Sequence, residues 1–311
     1  MNYRYTKEMV MFIRLKCEST INNTAIARQL IKEFELSIEL ETVRKKVSLE
    51  RKKLKQHGLV RKTRRLFFDI ETSYITARVW RTGKQWVDAK SITSEKKIIC
   101  ACYKWQYEDK VHTLMWDEKQ NDKKLLKELS KILGQADEII AHNGDRFDIK
   151  ELRTRCLIQG VPMFPKYRTL DTLKKARKYF NFHSNRLDYL GQTLEVGRKL
   201  DHEGIDMWID VQEKKSKKAL KKMADYCVQD VILLEDVFNV LMPYIDHNTN
   251  FSVLKGGSKW ACPECASEKV KLSHTDTTPM GYVKRHMVCK CKKRYHISNR
   301  SYQSFLTKDA M

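Results

Sequence analysis

Glycine and proline are scarce in this 311-residue chain, with 11 and 5 copies. That excludes a collagen-like repeat and a low-complexity linker protein. No apolar run approaches the roughly 18–20 residues of a membrane-spanning helix. The apolar stretch Met9-Val10-Met11-Phe12-Ile13 meets Arg14 after five residues, so neither an export signal nor a membrane partner is expected. The nine cysteines are an odd number spread along a long chain. This argues against a disulfide framework and for reduced thiols or metal ligands in a cytoplasm. Cys17, Cys100, Cys102, Cys156 and Cys227 lie in apolar surroundings and are expected in the core; the other four cluster near the C-terminus.

Positive charge is abundant and unevenly placed. The chain carries 61 Lys+Arg against 39 Asp+Glu, a formal charge of +22. Residues 1–66 hold 17 basic and 7 acidic side chains, residues 250–311 hold 12 and 4, and the middle keeps 32 and 28. Two basic flanks around a nearly balanced body imply surfaces built for a polyanion, with nucleic acid the expected partner. At 41% hydrophobic residues, the chain can bury a real core, and its length allows two or three domains.

Apolar residues at helical spacing over 24–31 predict a helix, and a second, strongly basic helix follows over 42–55, with Gly58 as its stop. Two short helices with a basic second member fit a helix-turn-helix whose second helix enters a DNA groove; a small helical domain without DNA contact is the alternative. Residues 61–65 read as a linker. Strands are expected over 66–71, 98–106, 111–116 and 138–142, the second and third as a hairpin. Helices are expected over 123–133, 147–159 and 216–240. Strands first, then strand–helix alternation, predict an α/β domain.

Acidic residues fall at suggestive places within that pattern. Asp69 and Glu71 stand at i and i+2 of a strand and project to one face. Such a pair in apolar surroundings is costly unless a cation joins it. Asp148 follows a strand and opens a helix, where α/β sheets present ligands, although a carboxylate favoured by the helix dipole would read the same way. Tyr226 and Asp230 are four apart on a helix and share a face.

Taken together, Asp69-x-Glu71, Asn143-x-x-x-Phe147-Asp148 and Tyr226-x-x-x-Asp230 occur in this order, 77 and 82 residues apart. The sequence resembles the DEDD 3′–5′ exonucleases of the RNase H-like superfamily, in the subclass whose third motif carries Tyr. The wording is closest to the exonuclease domains of family B DNA polymerases and to stand-alone exonucleases encoded by phages. Asp171-Thr172-Leu173 and Arg186-Leu187-Asp188-Tyr189-Leu190-Gly191 match as well. The likeness covers about residues 66–246. It implies an RNase H-like mixed sheet flanked by helices, with Asp69, Glu71, Asp148 and Asp230 holding two Mg²⁺ or Mn²⁺. It also implies that Tyr226 orients the attacking water and Asn143 lies near the substrate strand. Position 225 is Asp, so the subclass using His five residues before the last Asp does not apply. A phage-encoded protein of this kind would act in the host cytoplasm.

Cys262-x-x-Cys265 and Cys289-x-Cys291 lie 23 residues apart. Two Cys pairs read as a structural Zn²⁺ site, a zinc ribbon. The second pair is one residue short of the usual knuckle, so His286 or His296 is an alternative fourth ligand. The expected organisation is a helical basic module over 1–62, an exonuclease domain over 63–249 and a zinc-ribbon module over 250–311. The expected function is metal-dependent hydrolysis of DNA from 3′ ends, with RNA as the alternative substrate. The alternatives are endonucleolytic cutting by the same site, or a non-catalytic nucleic-acid-binding regulator on a nuclease scaffold.

Overall fold

The computed structural model describes residues 5–17, 23–56, 64–201, 204–246 and 249–307. Two compact units emerge, residues 64–248 and the flanks 1–63 with 249–311.

In the N-terminal flank, α1 (Lys7–Cys17), α2 (Asn23–Glu33) and α3 (Leu40–Gln56) share a core. Met9 and Ile13, Ile26, Ala27 and Leu30, and Val43 and Val47 supply it from the three helices in turn. The two expected helices are thus α2 and α3. Gly58, the expected stop, lies outside the described residues.

The middle unit runs β1 (Arg65–Thr72), β2 (Thr76–Ala77), β3 (Ile92–Ser94), β4 (Ile98–Trp105), β5 (His112–Met115), α4 (Lys123–Leu133), β6 (Glu138–Ala141), α5 (Asp148–Gln159), β7 (Thr169–Asp171), α6 (Thr172–Tyr179), α7 (Leu187–Thr193), α8 (Ile205–Gln212) and α9 (Lys217–Leu241). Its main sheet has the order β5-β4-β1-β6-β7. β1 pairs antiparallel with β4 and parallel with β6, and β6 pairs parallel with β7. The sheet is therefore mixed, with antiparallel strands on one side and strand–helix units on the other.

Alternation along β1 splits the core. Leu66, Phe68 and Ile70 pack in a cluster with Leu125, Leu126 and Leu129 of α4 and Leu152 of α5. Phe67 faces the other way and meets Phe238 of α9 edge to face, with centroids 5.3 Å apart. Residues 69 and 71 share the parity of Phe67, so their carboxylates fall on the α9 side of the sheet.

Two buried ion pairs fix the register. The Arg65 guanidinium donates to Glu138 Oε2 at 2.8 Å, both groups almost wholly buried, and ties β1 to β6. Arg65 therefore belongs to the strand rather than to a linker. Arg155 of α5 grips Asp122, just before α4, through two bonds of 2.7 and 2.9 Å. Asp122 also accepts from the Ile98 N–H at 3.1 Å. One carboxylate thus joins β4, α4 and α5, and aims the start of α5. An uncompensated partner in either pair would cost about 3–5 kcal/mol.

The C-terminal flank holds α10 (Phe251–Leu254), a three-stranded antiparallel sheet of β8 (Val270–Thr277), β9 (Val283–Cys289) and β10 (Arg294–Ser298), and α11 (Asn299–Leu306). Trp260, Val270, Met287 and Ile297 form a small core against Phe305.

Candidate active site

The site is built where β1 ends, α5 begins and α9 crosses the sheet. β1 presents Asp69 opposite Cys102 and Glu71 opposite Cys100 of β4. These partners are small and apolar, so nothing on β4 neutralises the carboxylates. α9 supplies Tyr226 and Asp230 one turn apart, both buried. Oxygens of Asp69, Glu71 and Asp230 lie within 4.8 Å of one another.

Asp148 opens α5. Gly144 precedes it in a tight turn, where an added Cβ would stand only 2.3 Å from the Ala141 Cβ. Asn143 supports the same turn with a left-handed φ of 65°. The Asp148 carboxyl is 2% exposed, and its Oδ1 is buried without a hydrogen-bond partner. The charges of Asp69 and Glu71 act on it, which places it beside the same cluster.

The electrostatics are those of crowded acids. Burial, then the charge of Asp230, pushes the Asp69 carboxyl up to about 7. Burial, then the charges of Asp69 and Asp230, pushes Glu71 up to about 8. Burial and Asp69 drive Asp148 well above the ordinary carboxylate range. Burial and Asp230 also raise the Tyr226 phenol, so Tyr226 is a neutral hydroxyl near pH 7.

Among the described residues, Lys199 answers these charges. The Lys199 amine donates to Asp230 Oδ2 at 2.5 Å and to the Tyr226 hydroxyl at 3.2 Å. Burial opposes its charge, yet Asp230 outweighs it and leaves the amine above the usual lysine range. The Lys199 backbone N–H is held by Asp188 Oδ1 at 2.8 Å. Asp188, noticed as part of Arg186–Gly191, thereby has a structural role. Lys199 itself escaped the sequence reading, because a lone lysine among many carries no spacing signal.

Asp171 receives an assignment too. Its carboxylate caps α6 by accepting from the Leu173 and Lys174 N–H groups, and accepts from the Asn143 N–H at 3.0 Å. It thus holds the turn that leads to Asp148. His142 bridges Thr172 and the Asn185 carbonyl. Burial lowers its pKa to about 4, so it is a structural neutral imidazole.

The donor set suits hard divalent cations. It offers oxygen atoms alone, its carboxylates repel one another, and Asp148 Oδ1 has no other partner. Asp69, Glu71, Asp148 and Asp230 are the residues that would hold such ions.

The second constellation lies in the C-terminal flank. The sulfurs of Cys262, Cys265, Cys289 and Cys291 lie within 4.8 Å of one another. Cys262–Cys291 and Cys265–Cys289 approach to 3.7 and 3.6 Å. Each pair sits in a tight turn: the Ala266 N–H reaches the Cys262 carbonyl, and the Lys292 N–H that of Cys289. The short Cys289-x-Cys291 spacing still brings both thiols to the group of four. His286 and His296 stand apart from the thiols; His286 stacks on His274 across the sheet at 4.1 Å. Hydrogen bonding from Cys262 lowers the Cys265 thiol to about 5, so a thiolate is at hand for a tetrahedral, sulfur-preferring ion.

Comparison with known proteins places this geometry. No curated protein matches the chain. Among solved structures, a family B DNA polymerase from the hyperthermophilic archaeon Pyrobaculum calidifontis is similar over 58% of this chain, at 15% identity and a TM-score of 0.46. The chain spans about a quarter (25%) of that polymerase. Residues 66–242 match the family model described as RNase_H superfamily. The mixed sheet and the converging carboxylates fall within that match: the chain belongs to the RNase H superfamily.

Proposed function

We propose that the protein is a metal-dependent 3′–5′ exonuclease of the DEDD type with Tyr, hydrolysing phosphodiester bonds of DNA. One observation carries this reading. Asp69, Glu71 and Asp230 converge from two elements, with Asp148 beside them and Tyr226 one helical turn from Asp230. A nucleic-acid-binding scaffold would gain nothing from this crowding, which costs stability.

A pair of Mg²⁺ or Mn²⁺ ions supplies, when bound, the positive charge that acidifies a water and offsets charge on the scissile phosphate. The chain's own residues do the rest. The four carboxylates hold the cations. The neutral Tyr226 hydroxyl orients the attacking water by hydrogen bonding; it is a poor base at neutral pH. Lys199 fixes the Tyr226 hydroxyl and keeps Asp230 ionised. Asn143 stands in the turn before Asp148, at the edge of the site where the substrate strand passes. Water attacks phosphorus, the 3′ oxygen leaves with a proton, and a mononucleotide is released.

The flanks hold the substrate in this reading. Residues 1–62 act as a helix-turn-helix-like basic module, and 250–311 form a basic zinc ribbon with one Zn²⁺ on the four cysteines. The test is digestion of end-labelled linear and of circular single-stranded DNA with Mg²⁺. Stepwise loss of the 3′ label with intact circles is the expected result. Nicked circles would make the activity endonucleolytic, and inertness towards both would return the chain to the class of non-catalytic binders.

A further inference from the structure

A loop beside the site displays a feature that folding does not require. Between β2 and β3, residues 78–90 form an irregular excursion from the nuclease domain. Trp80 and Trp86 on it are fully exposed, at 104% and 101%. Val79 and Val87, next to them, are exposed as well. An indole in water contributes nothing to the core, and two on one loop form an apolar surface that favours a partner. Gly83 bends the chain between them with a φ of 94°, and a Cβ there would meet nothing within 4 Å.

The loop is basic. Arg78, Arg81, Lys84 and Lys90 face solvent against the single acid Asp88. Asp88 is engaged in capping the short turn at 89–91 through the Lys90 N–H. Arginine and lysine interleaved with tryptophan match a strand that alternates phosphates and bases.

The foot of the loop is rigid and touches the active-site strand. Thr72, next to Glu71, accepts from the Trp208 indole N–H of α8 at 3.0 Å. The Tyr74 hydroxyl donates to Glu213 at 2.5 Å, and the Gln212 amide reaches the Tyr74 carbonyl. The Arg78 N–H closes on the Ser91 carbonyl at 2.9 Å. Nine residues separate Glu71 from Trp80, a contour of at most about 30 Å. The loop is therefore tethered to the strand that carries Asp69 and Glu71, with Trp80 within about 30 Å of Glu71.

We propose that residues 78–90 form a stacking clamp for single-stranded nucleic acid, with Trp80 and Trp86 taking unpaired bases and Arg78, Arg81 and Lys84 taking the neighbouring phosphates. The inference rests on the reading that this domain processes nucleic acid, and it names the strandedness of what is gripped. An indole face stacks on any unpaired base, so the clamp is sequence-tolerant and rejects bases locked in a duplex.

The experiment measures binding of a fluorescein-labelled oligothymidylate to the full-length protein, with Ca²⁺ in place of Mg²⁺ to hold off cleavage. Trp80→Ala or Trp86→Ala is expected to weaken binding by about 5- to 100-fold, the loss of one stacked base. Trp80→Phe should restore most of the affinity. Arg81→Ala should flatten the slope of log affinity against log salt by about 0.7. Blunt duplex affinity should change far less than single-strand affinity in the tryptophan variants. Equal single-strand affinity in a Trp80→Ala/Trp86→Ala protein of unchanged melting temperature overturns the clamp, whether or not the protein cuts DNA. Tryptophan-dependent self-association or binding to anionic vesicles, with oligonucleotide affinity unchanged, overturns it too. A wild type inert with Mg²⁺ and Mn²⁺ whose single-strand binding still needs both tryptophans would sink the exonuclease reading and sustain the clamp.

Discussion

The oxygen cluster of the RNase H-like domain brings three carboxylates together with Asp148 beside them, and the sulfur cluster of the C-terminal flank brings four thiols together, but they stand on different foundations. Asp69 and Glu71 stand on a five-stranded sheet with extensive apolar packing on both faces, and Asp148 and Asp230 on the helices α5 and α9. That scaffold can hold mutually repelling carboxylates in place without an ion. Of the four cysteines, Cys262 and Cys289 belong to a small apolar cluster around Trp260 and Met287 while Cys265 and Cys291 are exposed; that cluster is too little to order three strands alone. A metal would be added to a finished framework in the first region and would complete the framework in the second. The contrast is one of chemistry against architecture, and it can be attacked directly.

The largest effect is expected at the oxygen site. Asp69→Ala or Asp230→Ala should abolish cleavage of a labelled oligonucleotide, while the melting temperature without divalent ions stays equal or rises. Removing one member of the cluster relieves repulsion. Robust cleavage by both variants, or a collapse of the fold, would erase the contrast.

At the sulfur site the signs invert. Cys262→Ser should melt residues 260–298 locally, read as lost amide-exchange protection there, while the sheet of the RNase H-like domain stays protected. Metal analysis of the wild type should give about one Zn²⁺ per chain. Protein free of zinc yet protected over β8–β10 would show that this flank folds on its own core.

Tyr226→Phe should slow cleavage by about 10- to 100-fold, because one orienting hydroxyl is lost while the carboxylates remain. Single-turnover rates at saturating Mg²⁺ measure it, and a wild-type rate would reduce Tyr226 to packing.

The smallest effect is a pH dependence of stability. Asp69 and Glu71 titrate near 7 and 8 in the fold, against roughly 4 in an unfolded chain. The raised values mean that the fold holds their protons. Their contribution is fully present below about pH 4 and is lost as pH rises through 7 to 8. Metal-free protein should therefore lose melting temperature over that window relative to an Asp69→Asn/Glu71→Gln variant. Saturating Mg²⁺, which binds the ionised forms, should offset the loss. Parallel curves for the two proteins would show that these carboxyls titrate normally.

Much of the site could be read from period alone. Parity along β1 put Asp69 and Glu71 on one face, and i, i+4 spacing put Tyr226 beside Asp230. Cysteine spacing pointed to the thiol cluster, although the compressed second pair left His286 or His296 open as a fourth member. Boundaries of α4, β4 and α9 also came out within a residue or two, because long apolar patterns dominate there. What escaped has no local signature. Lys199 matters only because Asp188 and α9 bring it to Asp230. Arg65 looked like the end of a basic linker until Glu138, 73 residues on, gave it a buried partner. Asp171 showed its role only once its carboxylate was seen to reach the Asn143 N–H. Trp80 and Trp86 belong to no motif; their exposure is a property of the fold.

The last carboxylate comes late in the chain: Asp230 on α9 lies 161 residues after Asp69. At a synthesis rate of about 5–20 residues per second, β1 would wait on the order of 10–30 s for its partner helix. A nascent chain ending before α9 has three of its four acids and lacks Tyr226. Helix α9 also carries Phe238 and Leu234 into the core, which makes docking and arming a single event.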